Sequence, residues 1–173
     1  MDGPPLRSGW IVMRVRMICV GRLKSGPERT LCADYLDRFA AAGRSLGLSL
    51  GDTVELDESR NPAAARRKAE EAAAIAAKLN DGGNRLVVLD EGGRMVSSTE
   101  LAGKISDWRD GGTGETAFVI GGPDGLDPAL LAQADERIAF GRMTWPHRLV
   151  RIMLAEQLYR IATILSSHPC HLA

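Results

Sequence analysis

The sequence predicts an α/β domain, a mainly parallel sheet with helices on both faces. Three observations predict it. Strand-like and helix-like patterns alternate from Met13 to the end of the chain. The run Arg85 to Asp90 (RLVVLD) is continuously apolar, as parallel strands buried on both faces are. Most strand candidates run out into loops of small and polar residues, where open α/β sheets hold their ligands.

The elements follow in order. Residues 1–12 (MDGPPLRSGWIV) carry Gly and Pro without a period and precede Met13 and Met17. They read as a non-native or disordered extension, leaving 13–173 as a single domain. MRVRMICV from Met13 is the first strand, stopped by Gly21. Leu31, Tyr35, Leu36 and Phe39 recur at helical spacing, so Glu28 to Gly43 is a first helix. Gly47 to Leu56 is a second strand, ending in the acidic loop Asp57-Glu58-Ser59-Arg60. Asn61-Pro62 suits a helix start, with Asn capping and Pro in the first turn, and the Ala-rich helix runs to Leu79. Its charges, Arg66, Arg67, Lys68, Glu70 and Glu71, read as a solvated face, with an RNA-facing role as the alternative. Strand three, Arg85 to Asp90, ends in a loop Glu91-Gly92-Gly93-Arg94. Ser97 and Glu100 form a capping-box pattern that opens a helix to about Trp108. Ala117 to Ile120 is strand four, Asp127-Pro128 caps a short helix, and Arg137 to Phe140 is strand five. One long apolar helix closes the chain.

Length and composition bound the function. With 173 residues the chain is one domain, and 45% hydrophobic with 25% charged residues is ordinary for a soluble fold. Lys+Arg and Asp+Glu balance at 22 each, so no global basic field announces nucleic acid, although a local patch is compatible with that balance. Cys19, Cys32 and Cys170 make no metal-binding spacing and read as reduced thiols. No run is long enough to span a bilayer and no signal-peptide pattern is present, so the expectation is a cytoplasmic protein with no membrane association and no metal.

Two stretches carry chemistry. Ile120-Gly121-Gly122-Pro123-Asp124-Gly125-Leu126 is neither a dinucleotide fingerprint nor a phosphate-cradling P-loop. What remains is a plain strand-end turn or a place where backbone approaches a ligand closely. In the last helix Val150, Leu154, Leu158, Ile161 and Leu165 share a face, with Leu149, Met153 and Ile164 beside it. That face is wider than a surface helix needs, so the helix is deep in the core or packed on a second copy of the chain. His147, Arg148 and Arg151 form a cationic group at its start, and Glu156 and Arg160 an i,i+4 pair.

LDEGGRMVSSTELA (89–102), FVIGGPDGL (118–126), MTWPHRLVRIMLAEQLYRI (143–161) and SHPCHLA (167–173) together resemble the ribosomal RNA large subunit methyltransferase H family, a SPOUT class of enzyme. The resemblance covers Met13 to the end. It implies a C-terminal trefoil knot, S-adenosylmethionine as methyl donor, a homodimer, and 23S rRNA in the ribosome as the partner, methylated at N3 of a pseudouridine. Carried over by motif, the cofactor contacts fall on Leu89, Gly121, Phe140, Gly141, Arg142, Met143, Thr144 and Trp145. His171 is the candidate base or proton relay, with His168 second. Arg151 and His147 are candidates for neutralising the cofactor carboxylate or an RNA phosphate. The tail reads His168-Pro169-Cys170-His171-Leu172-Ala173, where the family usually has HPYH followed by Arg or Lys. The alternatives are therefore a SPOUT-fold ribosome- or RNA-binding module without catalysis, or a SPOUT methyltransferase acting on another RNA.

Overall fold

The computed structural model describes residues 12–80 and 82–167. Five parallel strands form one sheet in the order β2-β1-β4-β3-β5. They are β1 (Met13–Val20), β2 (Leu48–Leu56), β3 (Arg85–Met95), β4 (Glu115–Ile120) and β5 (Glu136–Ala139). The helices are α1 (Pro27–Gly43), α2 (Ala64–Ala76), α3 (Ser98–Asp110), α4 (Pro128–Gln133) and α5 (His147–Ser166). The α/β class with a parallel sheet is as the sequence indicates.

Alternation along the strands sorts the core into two layers. Met13, Val15, Met17 and Cys19 of β1 face α1, α3 and α5, joining Phe39, Ile105, Leu154 and Leu158. Ile18 and Val20 face the other way, onto Ile75 of α2 and Leu130 of α4. The inner strand β4 is buried throughout its length. A polar seam closes the amino end of the sheet: buried Arg16 lies 3.0 Å from Glu115, which also accepts from Asn80 Nδ2.

Local signals placed several helix ends well. Ser97 Oγ accepts from Glu100 N at 3.1 Å while Ser97 N donates to Glu100 Oε2 at 2.6 Å, the reciprocal capping box. Asp127 accepts from Ala129 N at 2.8 Å and Pro128 opens α4.

Among the boundaries that differ from the sequence reading, three have a clear physical cause. Asn61 does not cap α2: its side chain accepts from Ala63 N, two residues on, so it makes a local turn and the helix starts at Ala64. At the other end Lys78 N and Leu79 N donate to Ile75 O and Ala76 O, three residues back. The last turn is thus tightened out of the α-helix, which ends at Ala76. Strand three does not stop at Asp90. Leu89 pairs with Ile138, and so does Arg94, so the residues between them bulge out and β3 resumes to Met95. Gly93 permits this, because a Cβ there would stand 2.7 Å from the Ile138 carbonyl carbon.

Candidate functional site

The carboxyl ends of β3, β4 and β5 open onto one cleft of about 850 Å³. Of the cofactor candidates, Leu89, Gly121, Phe140, Gly141, Met143, Thr144 and Trp145 line it, whereas Arg142 is exposed beside it. Ile120, Leu126 and Ile138 add apolar wall that the sequence reading did not count among the cofactor contacts. Their signal was available, since all three flank the strand-end loops.

The loop after β4 is a tight turn. Gly125 N donates to Gly122 O at 3.0 Å, with Pro123 and Asp124 between them and Gly125 at φ +82°. Pro at the second position and Gly at the fourth are what such a turn favours. Gly121 has no room for a side chain: a Cβ would stand 2.9 Å from Leu126 Cγ and 3.1 Å from the Gly125 carbonyl carbon. Bare backbone therefore faces the cleft. The turn is tied to α2, because Arg67 Nε and Nη2 donate to the two oxygens of Asp124 at 2.6 and 3.0 Å. That guanidinium holds the Asp124 carboxyl below its ordinary pKa.

Beneath the turn lies Glu71, which corrects the reading of the α2 charges as a solvated face. It is only 5% exposed, accepts from Ser59 N at 2.9 Å, and its carboxylate packs against Gly122. Burial raises its pKa.

The loop after β5 forms the opposite wall. Trp145 Nε1 donates to Phe140 O at 3.2 Å and Thr144 Oγ1 lies 3.2 Å from Glu91 Oε2, which fold the loop back on itself and onto the β3 bulge. Gly141 turns the chain at φ +110°. Met143, 72% exposed, and Trp145, 39% exposed, offer apolar surface at the rim. Phe140 and Gly141 also line a second groove of about 550 Å³ on the far side, between Leu31 and Tyr35 of α1 and Ile152 and Met153 of α5.

The cationic group at the start of α5 is divided. His147 lines the cleft, with Nε2 against Gly21, and Arg148 is exposed. Arg151 is a correction: it is 1% exposed and its guanidinium is engaged inside the fold. Nη1 donates to Glu55 Oε1 at 2.5 Å and Nη2 to Gly21 O at 2.7 Å. A group so enclosed cannot meet a cofactor carboxylate or an RNA phosphate. It positions the loop after β1 instead. Glu55 was not foreseen, because it stands 96 residues away and no local pattern joins the two. His168 and His171 lie outside the described residues. Cys19 is buried and its thiol pKa is pushed up to about 12, so it is no nucleophile. Among the described residues no helix is long and apolar enough to cross a membrane.

Comparisons with known proteins identify the family. A family model described as "Predicted SPOUT methyltransferase" matches residues 13–171. The Ribosomal RNA large subunit methyltransferase H of Sinorhizobium fredii (strain NBRC 101917 / NGR234) is 53% identical over 161 residues, 93% of this chain and all of the relative. The protein of that name from Bradyrhizobium diazoefficiens is 55% identical with the same coverage. Among solved structures, a probable methyltransferase from Bordetella pertussis Tohama I matches with a TM-score of 0.50 at 18% identity, over 88% of this chain and 98% of that one, a likeness of fold alone. A parallel sheet with its cleft at the strand ends, and half-identical relatives spanning that whole arrangement, place this chain in the ribosomal RNA large subunit methyltransferase H family of SPOUT methyltransferases.

Proposed function

We propose that the protein transfers a methyl group from S-adenosylmethionine to N3 of a pseudouridine in 23S rRNA, as a homodimer acting on ribosomes in the cytoplasm. The observation that carries this reading is the convergence of three strand-end loops, all singled out by sequence motif, on one cleft.

The residues present suit the cofactor. The cleft lies within the roughly 300–1,000 Å³ range of small-molecule sites. Leu89, Leu126, Ile138 and Met143 provide apolar walls for an adenine, and the side-chain-free backbone at Gly121 and Gly141 can approach its polar edge. Bound there, the sulfonium supplies a methyl group already activated for transfer. The protein's task is to orient N3 of the base and to take its proton, for which His171 is the candidate base and His168 a relay.

Chain geometry supports a shared site. α5 has 20 residues, about 30 Å at ~1.5 Å per residue, and its first residue, His147, lines the cleft. His171 is four residues past Ser167, a reach of about 14 Å at ~3.5 Å per residue. That reach is shorter than α5 itself, which supports the reading that a second copy donates the tail. The groove beside Leu31 and Met95, with exposed Leu149 nearby, is apolar surface for that copy to cover. The return of the β5–α5 loop from the sheet edge to Gly21 of the inner strand β1 supports a C-terminal segment threaded as a trefoil knot.

Two measurements test the proposal: calorimetric titration with S-adenosylmethionine, and mass spectrometry of 23S rRNA from a strain lacking the gene. Binding together with the loss of one methyl is expected. Normal rRNA methylation after deletion overturns the reading, and cofactor binding without any methylation favours the non-catalytic module. An inactive His171→Ala chain mixed with an inactive Gly121→Leu chain recovers partial activity if sites are shared between copies. Continued inactivity of such a mixture, with heterodimers present, overturns the sharing.

A further inference from the structure

We infer that Arg67 is a positioning residue for the cofactor: from α2 it bolts the loop after β2, residues 57–62, to the glycine turn after β4, so that the turn's place in the cleft depends on that loop. The inference rests on the methyltransferase reading and adds to it a residue that acts on the cofactor through another.

The observation is one guanidinium divided between two loops. Arg67 Nε and Nη2 donate to the two oxygens of Asp124, whereas Nη1 donates to Asn61 O at 2.8 Å and to Pro62 O at 3.1 Å. A guanidinium is rigid and planar, so fixing one edge on backbone carbonyls fixes the direction of the other. Asp124 is the third residue of the turn that Gly125 N closes on Gly122 O, and both Gly122 and Asp124 line the cleft. Arg67 and loop 57–62 stand outside the cleft lining. What they impose on a ligand therefore passes through the turn.

Helix geometry explains why α2 makes this join. Side chains on a helix lean toward its amino end, and positions 67, 70 and 71 share one face. They reach back over the first turn to the segment that leads into the helix. Glu70 accepts from Ser59 Oγ and Asn61 Nδ2, and Glu71 accepts from Ser59 N. The loop is thus anchored to the same helix face from which Arg67 reaches the turn. Glu71 adds a second contact between loop and turn, since its carboxylate packs against Gly122. Charge makes Arg67 the decisive member. Asp124 and Glu58 both disfavour a charged Glu71, and Arg67 opposes them. Lys68 also favours the Asp124 carboxylate, more weakly than Arg67 does. Loss of the guanidinium therefore leaves the turn's carboxylate facing acids of α2 and of the loop, with the bond that held it gone.

The test uses the full-length protein and the variants Arg67→Ala, Arg67→Lys and Arg85→Ala. Arg85 pairs with Asp135 at the amino end of β3, the end opposite the cleft, and serves as the control. S-adenosylmethionine affinity is measured by calorimetry, and kcat with large ribosomal subunits at saturating cofactor. Arg67→Ala is expected to weaken the cofactor roughly tenfold, and Arg67→Lys, which keeps the charge without the fork, about threefold. Both are expected to keep kcat within about twofold, and Arg85→Ala to keep affinity within about twofold. Amide hydrogen exchange reads the join itself: the cofactor is expected to slow exchange in residues 57–62 as well as 121–126, and Arg67→Ala to abolish the first effect alone. Wild-type affinity in the Arg67 variants, equal weakening by Arg85→Ala, or protection of 57–62 that survives Arg67→Ala overturns the proposal. If Arg67→Ala does not fold, Arg67→Lys is read by the same measurements. If the wild-type protein binds no S-adenosylmethionine, the methyltransferase reading fails separately. The join is then judged by exchange in the free chain, where faster exchange in both segments of an Arg67 variant upholds it and faster exchange in only one overturns it.

Discussion

Arg151 Nη1 lies 2.5 Å from Glu55 Oε1, joining the second turn of the last helix to the end of an edge strand. The same carboxylate oxygen accepts from Leu23 N at 3.1 Å, and the same guanidinium donates to Gly21 O. Both ends of the pair thus hold the loop after β1. Removing one partner of a buried pair leaves the other charge uncompensated, at about 3–5 kcal/mol. Glu55→Ala is expected to lose that much stability in urea unfolding. Arg151→Met is expected to lose less, since the Glu55 side chain is 18% exposed and can turn to water. The reverse order would contradict this account.

Two glycines give opposite predictions for one substitution. Gly93→Ala places a Cβ against the backbone of Arg137 and Ile138, at 2.7–2.8 Å, so β5 must move away from β3. A loss on the order of 2 kcal/mol is expected, as for overpacking, with weaker cofactor binding because β5 leads into Phe140 and Gly141. Gly103→Ala meets nothing within 4 Å and lies inside α3, so a gain of roughly 0.5–1 kcal/mol is expected. Thermal or urea unfolding of both variants checks the pair.

Glu71 sets a pH dependence with a definite sign. Burial raises its pKa in the folded state, so between the ordinary glutamate value and that raised value the native chain binds more protons than the unfolded one. This group's contribution to stability is therefore full below the ordinary value and declines as pH rises through the raised one. Glu71→Gln keeps an oxygen for Ser59 N and removes the titration, so it is expected to help more at pH 7 than at pH 4. Unfolding free energies at the two pH values decide, and equal effects at both would refute the assignment.

Trp145 separates ring from hydrogen bond. Its indole N–H donates to Phe140 O while its ring stands at the cleft rim. Trp145→Phe keeps an aromatic face and is expected to weaken S-adenosylmethionine about twofold. Trp145→Ala removes the wall and is expected to weaken it roughly tenfold by calorimetry.

What was legible in the sequence was local. The capping box at Ser97 and the cap at Asp127 lie within three residues of the groups they satisfy, and both formed as read. The loops of the cleft were legible because strand ends and small residues mark them. Contacts made at long range were not. Gly92-Gly93 has the composition of a loop, but pairing with β5 draws it into β3 as a bulge. Glu71 resembles its charged neighbours on α2, and only the fold of the β4 loop over it makes it buried. An arginine on an apolar helix invites a functional reading, and its distant partner Glu55 gives that arginine a structural role.

Phe140 and Gly141 form a partition with a cavity on each side. A wall this thin makes the two spaces reciprocal. Any occupant of the outer groove that displaces the Phe140 ring changes the work of filling the inner cleft, and the cleft's occupant changes the groove's affinity by the same factor. If the second copy of the chain sits in that groove, S-adenosylmethionine should shift the monomer–dimer balance, which sedimentation equilibrium with and without it measures directly. An unchanged balance would mean that the partition stays rigid, and that each side is filled in ignorance of the other.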